Sequence, residues 1–171
     1  MPEPTSTPDE VTRLLEAWQR ERPDLDVSPM AVLSRVTRLA RHLDRARSTA
    51  FATHGLESWE FDVLAALRRA GPPYELSPSS LLNQTMVTSG TMTARVDKLV
   101  RRGLVRRQPS PADRRAILVV LTTSGRNRVD AALEDLLEHE KRLLSGIADD
   151  ERAQLAELLK RLVRPFDDAA G

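Results

Sequence analysis

The chain contains no cysteine, which excludes disulfide bridges, thiolate nucleophiles and cysteine-ligated zinc. Aromatic residues make up only 4% of the 171 residues, and lysine is nearly replaced by arginine. No apolar run approaches the roughly 18 residues of a membrane span, and no leader pattern stands before the first acidic stretch. The expectation is a soluble, cytoplasmic protein without membrane partners. The three histidines, His42, His54 and His139, are scattered and lack carboxylates at ligand spacing, so no metal site is expected. Phosphate loops, GxSxG and HExxH are missing, and the carboxylates of the last third are spread along amphipathic faces. No catalytic residue and no cofactor is expected; the reading is not an enzyme.

What is present is segregated charge. The formal net charge is +1, yet Arg95 to Arg128 carries ten basic residues against Asp97 and Asp113. The rest of the chain is therefore acidic overall. A smaller basic stretch, Arg35, Arg38, Arg41, Arg45 and Arg47, surrounds Asp44. Such asymmetry speaks to partners more than the net value does.

Periodicity organises the chain into helices. Pro8 to Arg22 reads as a short helix with Val11, Leu14, Leu15 and Trp18 on one face. Ser28-Pro29 opens a long one through Leu33, Val36, Ala40 and Leu43, stopping near Gly55. Ser58 starts another that ends before Gly71-Pro72-Pro73, and Ser77-Pro78 a short one through Leu82. Thr88 caps a further helix that Gly103 stops. Leu104–Arg107 and Ala116–Thr122 read as strands around a polar loop, Gln108 to Arg115. Two more helices follow, one from near Thr123 or Ser124 through Leu144 and one after Ile147-Ala148-Asp149-Asp150 through Phe166.

A short helix, a turn, a second helix and a two-stranded hairpin form the order of a winged helix-turn-helix. Along the second helix Met92, Val96, Leu99 and Val100 suit a core, while Thr88, Thr91, Arg95, Lys98 and Arg102 make a polar stripe. A helix of this width fits the major groove, where hydroxyls meet phosphates or base edges and arginine reads guanine. Ser89 and Gly90 let backbone N–H groups approach a phosphate. Arg114 and Arg115 at the hairpin tip suit the negative minor groove, and Asp113 could orient a guanidinium there.

The runs Ser89-Gly90-Thr91-Met92-Thr93-Ala94-Arg95-Val96-Asp97-Lys98-Leu99, Gly103-Leu104-Val105-Arg106-Arg107, Asp113-Arg114-Arg115 and Leu121-Thr122-Thr123-Ser124-Gly125 resemble the MarR family of transcriptional regulators. The resemblance spans roughly Leu33 to Gly125. It implies a homodimer on a palindromic operator in double-stranded DNA, with recognition helices in successive major grooves. It also implies that Arg115 enters the minor groove while Asp113 steadies the wing. The added N-terminal helix with Trp18, the phrase from Trp59 to Arg69, and Arg95 are similar to the urate-responsive subgroup. By that resemblance Trp18, Asp62, Arg69 and Arg95 are linked to a small anionic ligand, urate or a polycarboxylate.

The expected fold is mainly α with a small β-hairpin: a winged helix-turn-helix with N- and C-terminal dimerisation helices. Residues 1–7 read as a disordered tail, 8–54 as N-terminal helices, 55–125 as the DNA-binding domain and 126–171 as C-terminal dimerisation helices. The last helix is too apolar for a free surface; a second copy or the helix around Leu33–Leu43 could cover it. The expected function is a homodimeric repressor released from its operator by an anionic metabolite. An adaptor using its basic face for an acidic protein is the alternative, although it has no need of paired arginines at a wing tip.

Overall fold

The computed structural model describes residues 7–85, 88–111, 113 and 115–169. In chain order the elements are α1 (Glu10–Glu21), α2 (Ser28–Thr53), α3 (Ser58–Arg69), β1 (Glu75–Leu76), α4 (Pro78–Thr85), α5 (Ser89–Arg101), β2 (Val105–Pro109), β3 (Ile117–Leu121), α6 (Thr123–Leu144) and α7 (Asp149–Ala169). Of the tail expected over residues 1–7, only Thr7 lies among the described residues. The chain divides into two compact units, residues 1–49 and 50–171, with the division falling inside α2.

The first unit holds α1 against the first part of α2. Asp9 caps α1 by accepting the Thr12 N–H at 2.8 Å, and it also receives Arg35 Nε and Nη2 at 2.9 and 2.8 Å. The Arg35 guanidinium and the Thr12 bonds hold the Asp9 carboxyl far below the ordinary range. Arg38 pairs with Glu10 in the same way. Part of the basic stretch on α2 is therefore neutralised within its own unit. Val11 is buried between the helices, and an open groove of about 370 Å³ runs beside it past Leu14, Met30 and Leu33.

In the second unit the end of α2 enters a shared core. Phe51 stacks on Phe61 with ring centroids 4.0 Å apart, and Val63, Leu64, Leu67, Leu81, Met92, Leu99 and Leu104 close around them. α4 packs on both α3 and α5, which makes the helix-turn-helix. The expected hairpin is present, with Val105 opposite Leu121 and Pro109 opposite Ile117. β2 runs on through Gln108 and Pro109, so part of the expected loop is strand.

A third strand went unread in the sequence. β1 pairs antiparallel with β3, Glu75 opposite Val120, giving the sheet order β1-β3-β2. It is only two residues long, too short for any alternation to show.

The start of α6 is fixed by contact. Thr122 Oγ1 accepts the Gly125 N–H at 3.0 Å and donates to Gly103 and Leu104 carbonyls. A β-carbon on Gly125 would stand 2.1 Å from the Leu104 carbonyl oxygen, so only glycine fits. Apolar side chains remain exposed on α7, among them Leu155, Leu158, Leu162, Val163 and Phe166. Among the described residues, no helix is long and apolar enough to cross a membrane.

Candidate nucleic-acid interface

α5 forms because Thr88 accepts the Thr91 N–H as its cap, and it ends where Gly103 adopts φ +67°. Its core edge is buried as expected: Met92, Val96 and Leu99 are at most 2% exposed. At 100° per residue, the ridge facing furthest from that edge is Gly90, Ala94, Asp97 and Arg101. The predicted stripe of Thr91, Arg95, Lys98 and Arg102 lies about a quarter turn to one side. Thr88, Ser89 and Thr91 are exposed; Arg95 and Lys98 are half-buried.

The reason is the start of α3. Lys98 pairs with Glu57, and both Lys98 Nζ and the Arg95 guanidinium lie over the Trp59 ring, 5.2 and 5.3 Å from its centroid. Trp59 Nε1 donates to the same Glu57 carboxylate at 2.8 Å. Lys98 first, then the Trp59 N–H, draws the Glu57 carboxyl below its ordinary value. One turn further, Arg102 pairs with Glu60, which is fully buried, and donates to the Gly55 carbonyl at 2.6 Å. Arg102 thus serves the fold, although the sequence places it in the same polar stripe as Thr91.

The wing is built from β2 and β3. Arg106 and Arg107 are exposed on β2; Arg107 reaches Asp97 on α5 at 2.6 Å, fastening wing to helix. At the tip, Asp113 Oδ1 accepts the Arg115 backbone N–H at 2.9 Å, and the Asp113 carbonyl accepts the Ala116 N–H. The Asp113 carboxylate therefore shapes the turn through the Arg115 backbone N–H. Arg115 is exposed at this turn, and Arg114 lies outside the described residues.

The residues assigned to a ligand are placed as follows. Trp18 is 45% exposed on α1 in the first unit. Asp62 and Arg69 are exposed on α3, two turns apart. Arg95 meets Trp59, one turn before Asp62 on the same helix. Sequence reasoning missed Arg101 and Ala94 on the outermost ridge of α5, which a wheel anchored on Met92, Val96 and Leu99 identifies. It also missed Trp59 and Glu57, whose partners are some forty residues away and leave no local signal.

A capped helix resting on a helix-turn-helix core, beside a hairpin rich in arginine, defines a winged-helix DNA-binding protein. Comparison with known proteins agrees. Residues 54–116 match the MarR family model. The chain is 39% identical to the HTH-type transcriptional regulator PecS of Dickeya dadantii, covering 90% of this chain and 92% of that protein. It is 30% identical to the HTH-type transcriptional repressor NicR of Pseudomonas putida, over 85% and 92% of the two chains. Among solved structures it resembles the C80S mutant of MarR from E. coli complexed with operator DNA, at a TM-score of 0.66 and 27% identity, covering 81% of this chain and 99% of that one. The chain belongs to the MarR family of DNA-binding transcriptional regulators.

Proposed function

We propose that the protein acts as a homodimeric repressor on a palindromic operator, with α5 in the major groove and the Arg115 wing tip in the minor groove. The observation that carries this reading is the geometry of α5. Its apolar edge is spent in the core, and its N-terminal end offers Thr88, Ser89, Gly90 and Thr91 to solvent beside a hairpin bearing Arg106, Arg107 and Arg115. Hydroxyls, free N–H groups and arginines of this kind bind phosphates and base edges. The operator complex of the E. coli relative and the repressor named in Pseudomonas putida support the same role. Leu155, Leu158, Leu162 and Phe166 on α7 supply an apolar face suited to a second copy, and two linked half-sites multiply phosphate contacts.

Release by a small anion, urate or a polycarboxylate, completes the proposal. Arg69 supplies a cation on α3, Asp62 a carboxylate that a bound anion would disturb, and Arg95 a link to α5. The part assigned to Trp18 rests on resemblance alone. Such a ligand acts only through its different affinity for the free and DNA-competent forms.

Duplex protection upstream of the protein's own and neighbouring genes, with and without urate and citrate, tests the reading. Protection of a two-fold symmetric site that one anion abolishes is expected, with a weaker response in Arg69→Ala. Absence of any protected duplex would refute the DNA reading, and equal release of the Arg69→Ala variant would remove Arg69 from the ligand response.

A further inference from the structure

The polar stripe of α5 is not wholly free, because Lys98 already has an anion. We propose that Glu57 is an internal counter-anion for Lys98, which operator phosphate must displace, and that Trp59 is the shelf that keeps Lys98 and Arg95 within reach of both. The inference rests on α5 being the DNA-reading helix.

Three observations support it. First, Glu57 and Lys98 stand on different elements, α3's N-cap and α5, yet form a direct ion pair in which both side chains keep about half of their exposure. An exposed pair of this kind is weak and exchangeable, worth at most about 1 kcal/mol. Second, Glu57 is fixed in place: its backbone N–H donates to Glu60 at 3.0 Å and its carboxylate accepts the Trp59 indole N–H at 2.8 Å. It therefore meets Lys98 as a pre-positioned acceptor. Third, Trp59 faces two cations at once, Arg95 and Lys98, at 5.3 and 5.2 Å. An aromatic face attracts a cation without claiming its hydrogen-bond donors, so each stays able to donate to phosphate or base.

The consequence is a brake. Transferring Lys98 to a phosphate costs its bond to Glu57 and leaves a carboxylate near the polyanion. Both effects lower affinity, and more so at sequences that offer Lys98 a poor partner. Glu57 and Trp59 thus act as positioning residues that set how readily α5 engages a duplex.

The test measures affinity of the full-length protein for the protected duplex by fluorescence anisotropy, from low to high salt. Glu57→Gln and Glu57→Ser both remove the charge, and the serine keeps an oxygen suited to the helix start. Both variants are expected to bind about three- to tenfold tighter at low salt, with the gain shrinking as salt screens it. The gain should shrink when Lys98→Ala is present, because only the repulsion between carboxylate and phosphate is then relieved. Affinity equal to or below wild type in both charge-removed variants overturns the proposal, as does a gain that is undiminished without Lys98. If those outcomes occur while Arg115→Ala still weakens binding, the inference fails and the DNA reading stands; if the wild type binds no duplex at any salt, both fail.

Discussion

Two ion pairs join α3 to α5, three residues apart on one helix and four on the other, and they do different work. Glu60–Arg102 is closed on its acidic side: the carboxylate has no solvent exposure, while Arg102, 30% exposed, is also held by the Gly55 carbonyl. Glu57–Lys98 is open on both sides. A buried pair is expensive to break because the survivor is stranded, whereas an exposed pair yields to any better partner. The same chemistry therefore yields an anchor at the C-terminal end of α5 and an exchangeable contact one turn before it. Burial, not residue type, separates the two.

Removing the anchor should have the largest effect. Arg102→Ala strands Glu60, whose Oε1 has no hydrogen-bond partner among the described residues, and is expected to lower stability by roughly 3 kcal/mol in urea unfolding. A loss below about 1 kcal/mol would show that the pair is not the anchor. Gly125→Ala comes next, at about 2 kcal/mol, because its methyl group meets the Leu104 carbonyl oxygen. That variant leaves the α3–α5 face unaltered, so it separates lost stability from lost DNA affinity. At temperatures where it remains folded, its duplex binding should match wild type.

Asp113→Ala has a smaller, local effect. It removes the acceptor of the Arg115 N–H, loosening the wing turn, and should weaken duplex binding severalfold while thermal unfolding moves little. Glu57→Gln should change stability least, by about 0.5 kcal/mol or less. Acid titration gives a companion expectation. The Glu57 carboxyl is depressed in the folded protein, so its small contribution is complete above the unfolded carboxylate value near 4.3. That contribution fades as pH falls through the lower folded value, and stability should not respond to Glu57 between pH 6 and 8.

The sequence shows the frame of this arrangement and hides its joints. The helix start at Thr88 was legible from an oxygen-bearing residue before the apolar period, and the stop at Gly103 from its missing side chain. β1 was not, since two residues have no period and gain their strand geometry only from β3. The polar stripe on α5 reads as one surface because Thr91, Lys98 and Arg102 share a face. Its division into an exposed start, an exchangeable contact and an anchored end depends on Glu57 and Glu60, which lie more than forty positions earlier. Pairings at that distance leave no trace in local spacing.

The central claim, that α5 and its wing grip a duplex together, is tested most directly by titrating labelled operator with Arg115→Ala and wild type under matched salt. The account predicts a variant with unaltered unfolding whose affinity falls at least tenfold. Binding by that variant at full wild-type affinity would contradict it.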